Sequence, residues 1–208
     1  MKPLSQSIEI ERTRSVTDVN PAMLMFRYRG LTPLPFLAVM IAFAQPTLTS
    51  LLLGSLVVLC GEGLRMWGVL AAGGETRTTG EFICRSLVTH GPFAFVRNPL
   101  YIGNIMIYMG FGIMSLALHP WLMVVAVIWF CVQYTIIIVN EEKFLRRRFG
   151  NQYEEYCTNV HRFIPRLTAF VPGSNISERK KRNGIGSERR TLQAIGIVTF
   201  MVVLVYAL

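Results

Sequence analysis

Tyr101, Asn104 and Tyr108 recur at i, i+3 and i+7. On a helix they form one polar stripe in the apolar run PLYIGNIMIYMGFGIMSLAL, residues 99–118. A second apolar run, 121–139, ends in Asn140-Glu141-Glu142. On it Phe130, Tyr134, Ile137, Ile138, Glu141, Phe144 and Leu145 share a face, and Glu141 is the single charge there. Glu142 falls four residues before Arg146, a routine surface ion pair. A carboxylate on an apolar face beside a membrane interior is costly and implies a partner or a ligand. Only the turn His119-Pro120 separates the two runs, so they predict a tight antiparallel hairpin. Arg97–Tyr101 and Asn140–Glu142 then meet at one membrane surface. A carboxylate there could hold a ribose diol or an amine, and tyrosine faces suit a cation. Asn104, Tyr108, Tyr134 and Glu142 are the candidate substrate or pocket-wall residues. Such a pocket, open to water on one side and bilayer on the other, suits a polar cofactor meeting a lipid-like substrate.

The elements that must position these groups begin with VRNP, residues 96–99. Pro99 fits a first helical turn, where its missing N–H costs nothing. It pushes Asn98 out of the helical region, into a capping position. Arg97 then reads as an anchor at headgroup level. Glu62 and Arg65, at i and i+3 on an earlier apolar run, read as a structural ion pair, with a place at the pocket wall as the alternative.

The whole chain is built for a bilayer. Of 208 residues 52% are hydrophobic and only 16% charged, with a mean hydropathy of +0.43. Crossing the hydrocarbon takes roughly 20 apolar residues. Five stretches are candidates: Leu31 to Ala44 behind a Phe26-Arg27-Tyr28-Arg29 anchor, Thr47 to Gly68, Pro99 to Leu118, Trp121 to Val139, and Thr191 to Leu208. All 21 Lys and Arg fall in residues 1–29, 62–97 and 140–190, and none in the alternate turns or at the end. The positive-inside rule then places the N-terminus in the cytoplasm and the C-terminus outside. The net charge of +9 follows from that topology, and no basic folded domain with stacking aromatics suggests nucleic-acid binding. The N-terminus lacks the pattern of a cleaved signal peptide. Cys60, Cys84, Cys131 and Cys157 form no CxxC pair, so neither a disulfide framework nor a metal site is expected. The reading is all-α: an integral membrane bundle of about five transmembrane helices, with the pocket on the cytoplasmic side.

Two blocks carry a family resemblance. LVTHGPFAFVRNPLYIGN (87–104) is similar to a Leu-Val-x-x-Gly-Pro-Tyr then Val-Arg-(His/Asn)-Pro-x-Tyr-x-Gly pattern. NEEKFLRRRFGNQYEEYCTNVHRFIP (140–165) is similar to a Glu-Glu, Phe-Gly-x-x-Tyr-x-x-Tyr pattern with a Pro-ending tail. Over about residues 60–170 the chain resembles the membrane methyltransferases of the isoprenylcysteine carboxyl methyltransferase and phospholipid methyltransferase group. The resemblance implies S-adenosylmethionine as cofactor. It implies that Asn98, Pro99, Leu100 and Tyr101 line it, that Arg85, Ser86, Leu87 and Val88 run along it with Thr78 and Phe93 nearby, and that Glu141 is the cofactor-binding acid. Asn98 stands where isoprenylcysteine enzymes usually have His, and Phe93 where a tyrosine is usual. Ile137 stands where they place an arginine for the substrate carboxylate. These departures lean the acceptor away from prenylcysteine and toward other lipophilic substrates.

The expected activity is transfer of a methyl group to a lipophilic, membrane-embedded acceptor, on O or N. His90 and Glu142 are possible bases, and neither is assigned. The expected division is a cytoplasmic segment 1–30, a methyltransferase domain 31–172, a basic flexible linker 173–190 and a last transmembrane helix 191–208. The expected setting is a bacterial inner membrane, with lipid as partner and no nucleic acid. An NADPH-dependent reductase of a lipophilic double bond, on the same architecture, and a non-enzymatic membrane scaffold are the rival readings.

Overall fold

The computed structural model describes residues 25, 28–73, 86–171 and 185–208. Among these the chain is helical, with no strand. Helix α1 spans Pro33–Ala42, α2 Leu48–Ala72, α3 Pro99–Ser115, α4 Trp121–Phe149, α5 Asn151–Asn159 and α6 Ile185–Ala207, with a 3-10 turn at Gly91–Ala94 ahead of α3.

Local chemistry sets the boundaries. Pro33 and Pro99 open α1 and α3 in the first helical turn. A capping box opens α2: Ser50 N donates to Thr47 Oγ1 at 3.1 Å and Thr47 N to Ser50 Oγ at 2.9 Å. Gly73, at φ 68°, closes α2, and Gly150, at φ 52°, turns α4 into α5. Within α4 the Thr135 hydroxyl and the Asn140 amide donate back to the carbonyls of Cys131 and Ile136, satisfying polar groups inside an apolar helix.

Among the described residues three helices are long and apolar enough to cross a membrane: Leu48–Ala72, Trp121–Phe149 and Glu188–Ala207. Helix α3 has 17 residues and α1 only 10, about 15 Å of rise. The expected first span is therefore shorter than a crossing. The fourth runs ten residues past Val139, because charged residues continue a helix beyond the hydrocarbon. The last begins at Ile185, inside the segment expected to be a flexible linker; residues 172–184 lie outside the described residues. Leu52, Leu56 and Leu59 on α2, Val125 and Ile128 on α4, and Phe200 on α6 are exposed, which suits hydrocarbon rather than water.

The α3–α4 hairpin that the short turn suggested is present, and among the described residues α2 packs still more closely on α3. Glycines make it possible. Gly54, Gly61 and Gly68 recur every seven residues on α2, and Gly103 and Gly110 do so on α3. A Cβ at Gly61 would stand 2.9 Å from the Gly103 carbonyl oxygen, and one at Gly110 2.8 Å from that of Gly54. Two antiparallel backbones thus touch directly, as small residues allow between membrane helices. Around this contact Met40, Leu51, Val58, Ile107, Phe111, Met114, Val198 and Val202 bury one core from α1, α2, α3 and α6.

Gly61→Ala is expected to force the two backbones apart and cost about 1–3 kcal/mol, read as a lower unfolding midpoint in detergent. Gly63→Ala is the control: nothing lies within 4 Å of a Cβ there, so the midpoint should hold or rise.

Candidate active site at the charged end of the bundle

At the start of α3, Asn98 has φ −124° and ψ 55°, outside the helical region, and its carbonyl takes the first helical N–H, from Ile102, at 3.2 Å. Its side chain does not cap the helix as expected. Its Nδ2 donates to the Arg162 carbonyl at 3.2 Å, tying the start of α3 to the segment after α5. One turn on, the Tyr101 hydroxyl donates to Glu141 Oε1 at 2.8 Å. The expected meeting of Tyr101 and Glu141 across the α3–α4 turn is what the structure holds. Arg29 is close enough to act electrostatically on both groups.

Below this pair lies an aromatic and amide network. The Tyr101 and Tyr134 rings stand 4.8 Å apart, and Tyr108 stacks on Phe130 at 4.2 Å. Tyr134 also packs on Phe130, with ring centroids 6.1 Å apart. Arg65 Nη1 donates to Asn104 Oδ1. The predicted stripe Tyr101–Asn104–Tyr108 therefore faces Tyr134, and α2 adds Arg65 to it. The expected Glu62–Arg65 pair is present at 3.4 Å, while Arg65 also reaches Glu188 at 2.8 Å.

Glu142 departs from expectation. It is 5% exposed and does not pair with Arg146. Arg162 donates to both its oxygens, from Nε at 2.8 Å and Nη2 at 2.6 Å, and Arg97 Nη1 lies 3.2 Å from Oε1. Arg146 pairs instead with Glu154 at 3.2 Å, on the surface. Arg97 is accordingly turned inward, touching Cys157 Sγ as well, rather than anchored at headgroup level. The hydrogen bond to Glu142 holds the Arg162 guanidinium above its ordinary range. With both oxygens engaged by guanidinium groups, Glu142 is a structural clamp and not a free proton acceptor. His90 is exposed, at the start of the 3-10 turn.

The clamp organises the charged end. Leu87 is buried with Tyr153, Tyr156 and Val160. The Tyr156 hydroxyl donates to the Phe93 carbonyl at 2.8 Å. Burial pushes the Tyr153 and Tyr156 phenols well above the ordinary tyrosine range, so both remain protonated donors. Backbone bonds Arg97 N to His161 O, Arg166 N to Phe95 O and Phe170 N to Ala94 O, each 2.9 Å, lay the segment after α5 along the approach to α3. Ser86, Val88, Phe93 and Leu100 are half-buried and Pro99 is buried. Thr78 and Arg85 lie outside the described residues.

Three residues escaped the sequence reading. Arg162 sits twenty residues from Glu142, beyond any helical rule. Gln133 is 1% exposed within α4 and meets the Thr32 hydroxyl at 3.0 Å; a lone amide in an apolar run was the signal for it. Glu188 is fully buried, and its signal was an acid just ahead of the last apolar run.

A sequence model of the phospholipid methyltransferase family matches residues 49–152, half of the chain, and the chain belongs to that family. It is an integral membrane protein of the all-α class. The match takes in α2, α3 and α4, starting earlier and stopping earlier than the 60–170 that the motifs suggested. Among curated relatives, the cobalt-zinc-cadmium resistance protein CzcN of Cupriavidus metallidurans is 32% identical over 120 residues, 58% of this chain and 51% of the relative. The nickel-cobalt-cadmium resistance protein NccN of Alcaligenes xylosoxydans xylosoxydans is 30% identical over 106 residues, 51% of this chain and 45% of the relative. A probable protein-S-isoprenylcysteine O-methyltransferase of Oryza sativa subsp. japonica is 31% identical over 118 residues, 54% of this chain and 59% of the relative. The chain spans about half the length of the curated relatives it matches. No solved structure matches it.

Glu142→Ala would strand the inward-turned Arg97 without its counter-charge. A loss on the order of 3 kcal/mol is expected, read as a drop in thermal midpoint in detergent. Arg146→Ala should leave the midpoint in place; the opposite ranking would mean that Glu142 draws its stability from Arg146 after all.

Proposed function

We propose that the protein is an S-adenosylmethionine-dependent methyltransferase acting on a lipophilic acceptor held in the membrane. The observation that carries this reading is the Tyr101–Glu141 pair at the mouth between α3 and α4. The donor set there fits the cofactor. Glu141 supplies a carboxylate for a ribose diol or an ammonium group, and the Tyr101 ring face suits a cation. Asn98, Pro99 and Leu100 line the helix start beside them. Ser86, Leu87, Val88 and Phe93, with Thr78 and Arg85, complete the wall that the family resemblance implies.

When bound, the cofactor would supply a sulfonium methyl group to an acceptor oxygen or nitrogen, leaving as the neutral thioether. The chain's own residues orient the reactants and exclude water. The aromatic floor of Tyr101, Tyr134, Phe130 and Tyr108 presents an apolar, water-poor surface at the depth where a lipophilic acceptor would approach. A carboxylate acceptor is already ionised at neutral pH and needs no base, whereas an amine must first lose a proton. Ile137 is 1% exposed within an apolar cluster, so no cation at that turn meets an acceptor carboxylate. This supports an acceptor other than prenylcysteine, as does Asn98. By the positive-inside rule the end bearing Arg97, Arg146–Arg148 and Arg162 faces the cytoplasm, and a bacterial inner membrane is the setting we propose.

The test is calorimetric titration of the purified protein with S-adenosylmethionine, with radiolabelled methyl transfer into a membrane lipid extract. Binding by the wild type, weakened about tenfold or more in Glu141→Ala by loss of a charge-assisted contact, is the expected result. No binding by the wild type, or a thermal shift with NADPH instead, would overturn the proposal.

A further inference from the structure

The family match ends at residue 152, so α6 lies outside it, yet α6 brings a charge to the centre of the polar network. Glu188 stands in the first turn of α6 and is 0% exposed. An acid at a helix start is favoured by the helix dipole, and that benefit is available in water. Burial must therefore answer to another group. Arg65 Nη2 donates to Glu188 Oε2 at 2.8 Å and lies 3.4 Å from the Thr191 hydroxyl. The other terminal nitrogen of the same guanidinium donates to Asn104 Oδ1.

We propose that the C-terminal helix sets the polar groups of the acceptor site, with Glu188 as a positioning residue that holds Asn104 in place through Arg65 and so orders the tyrosines beside it. The inference rests on the methyltransferase reading for what the site does, but not for the linkage itself. A guanidinium is planar, so fixing one terminal nitrogen on Glu188 fixes where the other can aim. Asn104 Oδ1 is then committed to the cation, which fixes the orientation of the amide between Tyr101 and Tyr108, one turn to either side on α3. Tyr108 and Tyr134 both pack on the Phe130 ring, at 4.2 and 6.1 Å. Tyr108 lines a cavity of about 30 Å³ between α1, α3 and α4, among Phe36, Met40, Phe111 and Phe130. The Tyr134 ring also packs on Tyr101, which holds Glu141. One guanidinium set by α6 thus orients the polar groups between the cofactor mouth and the apolar cavity, where the head of a lipophilic acceptor would sit. Without Glu188, the remaining carboxylate at 3.4 Å, Glu62, draws the guanidinium back along α2 and away from Asn104.

The experiment uses the full chain in detergent and in vesicles of membrane lipid extract. In Glu188→Ala, methyl transfer should fall on the order of 10-fold or more through misplacement of the acceptor groups. Binding of S-adenosylmethionine should stay within about 3-fold, since Arg65, the group that Glu188 holds, is not among the residues assigned to the cofactor. In an Asn104→Ala background the same change should alter transfer by less than about 2-fold, because both act on one linkage. Glu188→Gln, isosteric and still able to accept from Arg65, should rescue most of the activity; should Glu188→Ala not fold, Glu188→Gln is carried through the same cycle with a smaller loss expected. The linkage is also read without turnover, by fluorine NMR of fluorotyrosine-labelled protein. The Tyr108 and Tyr134 resonances, assigned with Tyr108→Phe and Tyr134→Phe, should shift in Glu188→Ala and Asn104→Ala alike. Unmoved resonances, or losses that multiply in the double variant, would overturn the proposal and leave Glu188 a helix anchor only. A wild type that transfers no methyl group while those resonances do shift would sink the methyltransferase reading and keep the linkage.

Discussion

The backbone contact between α2 and α3 is the constraint on which the site depends. At Gly61 and Gly103 the helices lie too close for any side chain between them. A Cβ at Gly103 would also stand 2.6 Å from Arg65 Cγ, so the space this glycine leaves is filled by the aliphatic stem of the arginine. The charged head of Arg65 is thereby delivered beside Asn104, one residue further along α3. A buried guanidinium in an apolar bundle is tolerable only when its donors are taken up. Glu188 and Asn104 accept from its terminal nitrogens and Glu62 stands 3.4 Å from Nε as a second counter-charge, each from a different turn or helix. Close packing and polar chemistry are therefore one feature: the glycines set the depth, and the arginine uses it.

Two adjacent carboxylates show how helix geometry divides labour. Glu141 and Glu142 differ by one residue, about 100° around α4. Glu141 points to the aromatic side and meets a neutral phenol. Glu142 points to the segment after α5 and meets two guanidinium groups. A carboxylate gripped by two guanidinium groups is held in one place, which suits a joint. A carboxylate bonded to a phenol keeps acceptor capacity for something else, which suits a ligand site. The clamp at Glu142 also fixes the start of α3, since Arg97 immediately precedes Asn98. The joint thus sets the place of Tyr101, and through it the place of Glu141.

The sequence was most legible where structure follows from neighbours within a turn or two. Thr47, Pro99 and Trp121 announced their helix starts, and the Tyr101–Asn104–Tyr108 stripe announced a polar face that Glu141 and Tyr134 would meet. Legibility failed where a partner lies far along the chain. The i, i+4 rule offered Arg146 to Glu142, but an exposed pair of that kind contributes little, and burial with Arg162 and Arg97 wins. Hydropathy counts apolar residues, not helix length, so it ended the span at Val139; the helical face through Leu145 pointed further, and the backbone ladder continues to Phe149. The same counting read GSNISERKKRNGIGSERR as linker, although a helix begins within it at Ile185. The seven-residue glycine period was present in plain view; it belongs to helix packing rather than to hydropathy, and a search for spans passes over it.

Helix α6 bears on how such a fold accepts additions. Most of its surface is apolar and exposed, and Ile197 and Phe200 need no partner but lipid. A helix held by lipophilicity alone would be free to rotate and drift, because lipid tails are as apolar as the neighbouring helices. Val198 and Val202 give it a seat on the core shared by α1, α2 and α3, and Glu188 gives it a single rotational and axial setting. Apolar packing supplies the contact, and the buried Glu188–Arg65 pair supplies register, the best-attested use of buried charge. A carboxylate that sets the register of α6 necessarily sets the Arg65 guanidinium too, since the same bond has two ends. An appended helix can in this way gain influence over a site it does not line with any catalytic group.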